Sequence, residues 1–246
     1  MVGKKKLRKK TIYKKEVSKK ESKYVSYRKD AFTKKLYLNV IDAYSKAAYL
    51  YEDKWKQYLT STESALLQQL KLKGKEIILD AGCGTGSLLA AIRERSKHRG
   101  KIIGFDITPA MLDLAETKLS AHSKFNKSLQ LELAHCENFS VKNNSVDIVI
   151  CSSVLHHLPH PENAVHAFHR ALKKGGRLLL LDFCTDYPTT QLLDWWRQLF
   201  HPAHHRAYKS AFVDEMLKKN KFSVVSFKTW KATPTIGVML FEAKKK

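Results

Sequence analysis

The chain has 246 residues, of which 43% are hydrophobic and 10% aromatic, so it can fill the core of one large domain with an appendage. No apolar run reaches the roughly 18 residues that a membrane-spanning helix needs, and no hydrophobic stretch follows the basic N-terminus as in a secretory signal. The four cysteines are widely spaced without a Cys-x-x-Cys pair, which disfavours a zinc site and a disulfide framework. We therefore expect a soluble, cytoplasmic protein without a metal site.

The formal net charge is +22, and more than half of it lies in the first 35 residues. That segment holds fifteen Lys or Arg residues against Glu16, Glu21 and Asp30, a balance of +12. Residues 1–29 are too charged to fold alone, and we predict a basic, disordered tail. Such a tail keeps a protein solvated, and it can also make weak contacts with nucleic acid or with an anionic membrane surface.

An N-terminal helical cap is predicted over residues 30–73. Apolar residues recur at helical spacing from Ala31 to Leu59, which indicates one or two amphipathic helices. Another helix is predicted from Thr62 to Leu72. The stretch from Ala31 to Leu59 also contains residues that would give these helices an aromatic face: Tyr44, Tyr51, Trp55 and Tyr58.

A second domain is predicted over residues 74–246, where short apolar strands alternate with amphipathic helices. Helices are expected over residues 86–97, from Thr108-Pro109 onward, over residues 161–172, and after the fifth strand. The run Lys173-Lys174-Gly175-Gly176 is typical of a helix end, with cations in the last turn and glycine just beyond it. Seven strands are predicted, over residues 76–80, 101–106, 129–134, 146–151, 177–183, 222–230 and 236–243.

The order of these elements predicts the fold class. Near-continuous apolar strands between amphipathic helices are typical of a parallel sheet that is covered on both faces. Only residues 231–235 separate the last two strands, which is too short for a crossover helix, so those strands should form an antiparallel hairpin. We predict an α/β fold: a doubly wound, Rossmann-like, seven-stranded and mostly parallel sheet with a C-terminal antiparallel hairpin and an N-terminal helical extension.

A glycine-rich loop, residues 82–86, follows the first strand and opens a helix. Glycine permits positive φ and a close approach of the backbone to a ligand, although a tight turn without a ligand would use the same residues. The spacing is G-x-G-x-G, and position 87 is Ser, so the G-x-G-x-x-G dinucleotide fingerprint is not matched. This difference disfavours a NAD-dependent dehydrogenase.

Two further segments belong beside this loop. Asp106 ends the second strand, where a carboxylate can accept hydrogen bonds from a ribose diol or cap the next helix. Residues 134–138 follow the third strand. Because ligands of a doubly wound sheet bind at the carboxyl ends of its strands, where the strand order switches, the three segments predict one nucleotide-type cofactor site.

Four stretches resemble the small-molecule class I S-adenosylmethionine-dependent methyltransferases, particularly the ubiquinone/menaquinone biosynthesis C-methyltransferases: residues 79–86, 104–112, 153–158 and 172–178. The resemblance covers about residues 40–243. It implies S-adenosyl-L-methionine as the cofactor and direct transfer of its methyl group to a carbon or an oxygen of a small-molecule acceptor.

The resemblance also implies which residues hold the cofactor. The ribose hydroxyls would bind Asp106. The methionine part would lie in the loop formed by Asp80, Ala81, Gly82, Cys83, Gly84, Thr85 and Gly86. The adenine would lie near Ile107, Met111, His135 and Cys136. The methionine amino group would lie near Cys151 and Ser152.

His135 departs from the family pattern, which usually has Asp at this position. Asp accepts a hydrogen bond from the adenine amine, whereas a neutral imidazole accepts through one nitrogen only, and only in the right tautomer. Adenine binding would then rely on backbone groups, or it would weaken below about pH 6.5 as the histidine becomes charged.

No motif identifies the acceptor or a general base. His157 follows the fourth strand, and His201 and His205 precede the hairpin, so these three are the candidate bases, although a structural or surface role would explain each of them equally well. Aromatic residues of the N-terminal helices and of the late helical stretch would wall a pocket for a planar or lipophilic acceptor, or pack in the core.

Two alternatives stand beside small-molecule methyl transfer. An RNA-modifying methyltransferase would use the basic tail to bind phosphates, and a cofactor-binding protein would act without turnover. Cys151 follows Ile150 rather than Pro, unlike the nucleophilic cysteine of 5-methylcytosine enzymes. Residues 152–155 read Ser-Ser-Val-Leu, where amino-methylating nucleic-acid enzymes carry Asn/Asp-Pro-Pro-aromatic. Both differences disfavour methylation of nucleic-acid bases.

Overall fold

The computed structural model describes residues 30–120 and 128–246. The predicted basic tail, residues 1–29, lies outside the described residues. None of the helices in the described ranges is both long enough and apolar enough to cross a bilayer.

Seven strands of the described chain form one sheet in the order β3-β2-β1-β4-β5-β7-β6. The first five strands run parallel, and β7 pairs antiparallel with both β5 and β6, which confirms the predicted doubly wound sheet with a C-terminal hairpin. The strands are β1 (Ile78–Ala81), β2 (Ile102–Asp106), β3 (Leu129–Leu133), β4 (Val146–Ser152), β5 (Leu172–Phe183), β6 (Phe222–Lys231) and β7 (Gly237–Lys245).

Both faces of the central strands are buried, as their continuous apolar sequences predict, whereas β6 at one edge is largely exposed. Within β1, Leu79 joins one apolar cluster with Phe168 of a helix, whereas its neighbour Ile78 joins a second cluster with Leu89 of another helix. Successive side chains of a strand point to opposite faces, so each of the strands β1, β2, β4, β5 and β7 contributes to two cores. The helices are α1 (Ala31–Ala47), α2 (Tyr51–Lys54), α3 (Lys56–Leu70), α4 (Ser87–Arg95), α5 (Pro109–Ser120), α6 (Pro161–Ala171), α7 (Pro188–Phe200) and α8 (Ser210–Lys219), with short 3₁₀ turns at Ala48–Leu50 and Leu155–His157.

The run from Lys173 to Gly176 does not end a helix, and that detail of the prediction is wrong. Helix α6 ends at Ala171, the next residue is already extended, and Leu172 pairs with Val146 of β4. The Lys173 ammonium lies 2.7 Å from the Asp147 carboxylate. Residues 173–176 pair with no residue of β4. They form an irregularity within β5, with Gly175 at a φ of 74°, before pairing resumes between Arg177 and Ile148.

The N-terminal helices pack on the central sheet. Tyr37 and Ile41 of α1 belong to the same apolar cluster as Leu79 and Phe105 of the sheet. Asp30 caps α1 by accepting a hydrogen bond from the Thr33 amide at 2.7 Å. The division at residues 73 and 74 stays a prediction, but this helix covers the carboxyl ends of the strands.

Helix α7 has an unusual distribution of polar and apolar residues. Asp194 and Arg197 lie on its inner face, where they are partly buried. On the outer face, large apolar side chains are between 59% and 67% exposed: Leu192, Trp195, Leu199 and Phe200. An amphipathic surface helix normally has the reverse arrangement.

Candidate active site

The glycine loop leaves β1 and crosses the end of β2. The amides of Gly82 and Cys83 both donate to the Phe105 carbonyl, at 2.8 and 2.9 Å. Gly82 has a φ of 79°, and a Cβ atom there would lie 2.4 Å from Cγ2 of Val154. Gly84 has a φ of 53°, and no heavy atom lies within 4 Å of its Cβ position. The loop therefore needs glycine for its path, and it presents bare backbone to open space.

Asp106 is held at the end of β2 by backbone groups. One carboxylate oxygen accepts from the Gly84 amide at 3.0 Å, and the other accepts from the Thr108 amide at 2.8 Å. Burial raises the pKa of this carboxyl, while the amide hydrogen bonds oppose the shift. The geometry fixes a carboxylate beside the glycine loop.

A cavity opens at these strand ends, between the loop and helix α1. Eight of the predicted cofactor residues line it: Gly82, Gly84, Asp106, Ile107, Met111, His135, Cys136 and Ser152. Their roles stay predictions, but the structure brings them together around one space.

Six predicted cofactor residues lie outside the cavity wall: Asp80, Ala81, Cys83, Thr85, Gly86 and Cys151. The side chains of Ala81 and Cys151 are fully buried in the core. The Thr85 hydroxyl donates to the Glu52 carboxylate, which joins the loop to α2. Gly86 instead faces α5, where its Cβ position lies 3.2 Å from Cβ of Ala115. These residues support the loop from behind.

Asp80 is a buried carboxyl at the end of β1. Burial raises its pKa to about 7, and the nearby negative charges of Asp106 and Glu63 add to the shift. No hydrogen bond or ion pair joins its side chain to another of the described residues. A buried carboxylate without a partner is costly, so a cationic group placed beside Asp80 would stabilise its charged form.

His135 presents a defined tautomer. Its Nδ1 accepts a hydrogen bond from the Glu137 amide at 3.2 Å, so the neutral ring carries its proton on Nε2. The ring packs against Tyr37 with the centroids 4.2 Å apart. In this tautomer the ring donates through Nε2 and cannot accept from an adenine amine, which limits the acceptor role considered above.

Several lining residues were not among the predicted cofactor residues. Tyr37 and Val40 reach the cavity from α1, and Val154 and Leu158 reach it from the segment after β4. Ser153 is the most informative of them, because its φ of 60° is rare for a residue with a side chain. For Tyr37 and Val40 the available signal was the helical apolar spacing, which indicates a buried face without saying what it covers.

A second cavity of about 310 Å³ adjoins the first. Four residues line both cavities and form the boundary between them: Tyr44, Tyr51, Ser153 and His157. The remaining wall of the second cavity is largely aromatic: Trp55, Tyr58, Phe183 and Trp196. Aromatic residues of the N-terminal helices and of the late helical stretch thus meet in this cavity.

Tyr44 and His157 are joined at the boundary. The Tyr44 hydroxyl lies 2.8 Å from Nε2 of His157, and Nδ1 of His157 lies 2.6 Å from the Ala203 carbonyl. A carbonyl only accepts, so Nδ1 carries the proton and Nε2 accepts from the tyrosine hydroxyl. Burial holds the pKa of His157 well below its usual range, and the neighbouring His156 lowers it further. The imidazole is therefore neutral, with its basic nitrogen directed at Tyr44.

His156 has a structural role beside this pair. Its Nδ1 lies 2.7 Å from the Asp182 carboxylate, which also accepts from the Leu155 amide at 2.7 Å. Its carbonyl accepts from the His205 amide at 2.9 Å. Burial lowers the pKa of His156 and raises the pKa of Asp182 to about 6. This buried network ties β5 to the turn that carries His157.

The other two candidate bases lie in different places. His201 lines the second cavity and packs edge-on against Trp196, with the ring centroids 5.3 Å apart. His205 lines neither cavity, and its ring lies 6.0 Å from that of Phe32. Of the three histidines, only His157 reaches the boundary between the cavities.

All four cysteines are buried and unpaired. Burial raises the pKa of the thiols of Cys83, Cys136 and Cys151, and it raises the pKa of Cys184 to about 11. Protonated, buried thiols are poor nucleophiles, which agrees with the absence of a Pro-Cys motif.

Comparison with known families assigns the fold to a class of enzymes. The family model for a methyltransferase domain matches residues 53–227. The demethylmenaquinone methyltransferase of Lactobacillus johnsonii is 30% identical over 134 residues, which cover 54% of this chain and 54% of that protein. The ubiquinone/menaquinone biosynthesis C-methyltransferase of a Geobacter species is 29% identical over 135 residues, 55% of each chain. The match thus spans about half the length of these relatives.

A solved structure agrees with this fold. The magnesium protoporphyrin IX methyltransferase of Synechocystis, with S-adenosylhomocysteine bound, superposes with a TM-score of 0.68 at 19% identity. The superposition covers 86% of this chain and 100% of that structure.

Proposed function

The chain belongs to the class I S-adenosylmethionine-dependent methyltransferases, and from this we propose that it transfers a methyl group to a small-molecule acceptor held in the second cavity. The proposal depends on one observation above all. The predicted cofactor cavity and the aromatic cavity share a wall formed by Tyr44, Tyr51, Ser153 and His157, so a methyl donor in one would face an acceptor in the other.

The residues of the first cavity fit this cofactor. Asp106 would accept from the ribose hydroxyls, and the bare backbone of Gly84 would admit the methionine part. Asp80 lies behind the loop rather than in the cavity wall, and as a buried carboxylate without a partner among the described residues it would attract the ammonium group through space. When bound, the cofactor supplies a sulfonium whose methyl group is electrophilic.

The acceptor is held and shielded by the aromatic wall. Rings on several sides of a cavity of about 310 Å³ suit a planar or lipophilic small molecule, and they exclude water from the transfer point. Alignment of the attacking atom with the methyl group is the main contribution that such a pocket makes.

Tyr44 and His157 are suited to remove the acceptor's proton. As the acceptor atom attacks the methyl group, its proton moves to the Tyr44 oxygen, and the Tyr44 proton moves to Nε2 of His157. Burial raises the pKa of Tyr44, so the two transfers are concerted and no free phenolate forms. The Ala203 carbonyl holds the protonated Nδ1 and stabilises the imidazolium that results. This relay serves an oxygen acceptor or an activated carbon.

The test is methyl transfer from S-adenosylmethionine carrying a labelled methyl group. The full chain is incubated separately with a small-molecule fraction and with an RNA fraction of a cell extract, and labelled products are identified by mass spectrometry. We expect label in a small molecule, and loss of label in a Tyr44→Phe variant that still binds S-adenosylhomocysteine. Label in RNA alone would contradict this proposal and support an RNA-modifying methyltransferase. Binding of S-adenosylmethionine without transfer to either fraction would support a cofactor-binding protein without turnover. The cytoplasmic location stays a prediction.

A further inference from the structure

Arg197 projects from the inner face of α7 into the second cavity. Its guanidinium carbon lies 5.3 Å from the centroid of the Trp55 ring and 5.0 Å from that of Phe183. Burial lowers the pKa of this guanidinium, but arginine starts so high that it remains charged at neutral pH. A permanent cation is thus held between two aromatic rings in the wall of the acceptor cavity.

No residue of the described chain pairs with this cation. The guanidinium of Arg197 forms no hydrogen bond and no ion pair within the described ranges. The nearest acid on its own helix, Asp194, is occupied: one carboxylate oxygen accepts from Nε2 of His204 and from the Ala207 amide, both at 2.6 Å. The other oxygen accepts from the Gln198 side chain at 2.7 Å.

The wall of the second cavity also carries an excess of positive charge. Lys54 adds a second cation, and the described lining residues include no aspartate or glutamate. The histidines His156 and His157 are kept neutral by burial, so they do not change this balance. A partly buried cation that faces a cavity without a counter-charge favours an anionic ligand, because the ligand then supplies the missing partner.

We propose that the methyl acceptor is a planar molecule with an anionic group, a carboxylate or a phosphate monoester, which pairs with Arg197. This inference rests on the proposed function and specifies its substrate class. The guanidinium offers a fork of N–H donors that matches either group in a bidentate manner. The aromatic faces hold the guanidinium in place, so little side-chain freedom is lost when the anion binds.

The inference is tested by isothermal titration calorimetry on the full chain saturated with S-adenosylhomocysteine. The probes are 2-naphthoate, 2-naphthyl phosphate and 2-naphthamide, which share a ring system and differ in the charged group. We expect at least one anionic probe to bind about tenfold more tightly than the amide, and the two anions separate carboxylate from phosphate recognition. Equal affinities of the three probes, or no saturable binding of either anion, would overturn the inference without any variant.

Variants of Arg197 test whether this residue causes the tighter binding of the anionic probe. Arg197→Gln should abolish the preference for the anion over the amide. Arg197→Lys should keep part of that preference, because lysine keeps the charge but loses the bidentate N–H donors. Arg206→Gln is the matched control, since Arg206 is exposed and lines neither cavity. A preference that survives in Arg197→Gln contradicts the assignment. If Arg197→Gln fails to bind S-adenosylhomocysteine, Arg197→Lys is compared with the parent instead, and an unchanged preference for the anionic probe contradicts the assignment.

The outcomes separate this inference from the proposed function. If the protein methylates neutral acceptors and binds the three probes equally well, the anion site is refuted and the proposed methyl transfer stands. If the protein binds an anionic probe tightly through Arg197 but transfers no methyl group, the proposed methyl transfer is refuted and the anion site stands.

Discussion

The Tyr44 hydroxyl lies 2.8 Å from Nε2 of His157, across the line where two cavities meet. Tyr44 is 113 residues away in sequence, on a helix outside the central sheet. Helix α1 therefore supplies half of a hydrogen-bonded pair that is placed to move a proton at this boundary.

Removing either member of this pair should slow transfer with little effect on cofactor binding. We expect Tyr44→Phe and His157→Gln each to reduce kcat about 100-fold, because positioned proton transfer is typically worth that much or more. The affinity for S-adenosylhomocysteine should change by less than about threefold. Steady-state kinetics and calorimetry measure the two quantities. The double variant should be no slower than the single variants, since the residues act as one relay.

Tyr49→Phe provides the control for this pair, because Tyr49 is on the same segment and is 85% exposed. It should leave kcat unchanged. Independent, multiplicative losses in Tyr44→Phe and His157→Gln would contradict the relay.

Asp80 should make cofactor binding depend on pH. Its carboxyl has a pKa of about 7 in the free protein, and a bound ammonium group would favour the charged form. Binding then requires loss of a proton below pH 7, so the Kd for S-adenosylhomocysteine should rise up to about tenfold for each pH unit below that point. Asp80→Asn should bind more weakly and almost independently of pH. Parallel pH profiles in the two proteins would refute this role.

Gly82 should tolerate no side chain, for two separable reasons. Its positive φ costs alanine about 1–2 kcal/mol, and the contact of a Cβ atom with Val154 should add about 1–3 kcal/mol. Gly175 isolates the first cost, because its φ of 74° is similar and nothing lies within 4 Å of its Cβ position. Denaturant unfolding should find Gly82→Ala clearly less stable than Gly175→Ala. Val154→Ala should recover part of the difference, and equal losses at the two glycines would rule out the steric contribution.

The basic tail should act independently of the cofactor site. Deleting residues 1–29 removes most of the +12 charge of the first 35 residues, so any binding of RNA or of anionic lipid vesicles that falls steeply with salt should weaken strongly. The affinity for S-adenosylhomocysteine should stay within about twofold of the parent. Unchanged RNA and vesicle binding in the truncated protein would show that the tail does not carry these contacts.

The sheet was predictable because its central strands are buried on both faces. An apolar run such as residues 146–151 has few other structural explanations, and the glycine loop with Asp106 fixes the position of the cofactor cavity. The proton relay was not predictable as a pair. The helical pattern around Tyr44 indicates a buried face, but only tertiary packing directs its hydroxyl to His157.

Local rules also failed where tertiary contacts outweigh them. The residues from Lys173 to Gly176 satisfy the helix-end pattern, yet helix α6 ends before them, and β5 pairs with β4 on either side of them, at Leu172 and at Arg177. The periodicity of α7 identifies a helix, but the usual orientation rule would turn Asp194 and Arg197 toward solvent.

The inward polar face of α7 has a consequence for local stability. The helix is attached to the rest of the protein mainly by polar contacts. Asp194 accepts from His204, and the Thr190 hydroxyl accepts from the Gly237 amide at 2.6 Å. Arg197 packs against two aromatic rings, and little apolar surface of the helix is buried. Helix α6, by contrast, buries Val165 and Phe168 completely. The amides of α7 should therefore exchange with deuterium well before those of α6, through an opening that leaves the sheet intact. Such an opening would give an acceptor a way into the aromatic cavity while the cofactor stays in place.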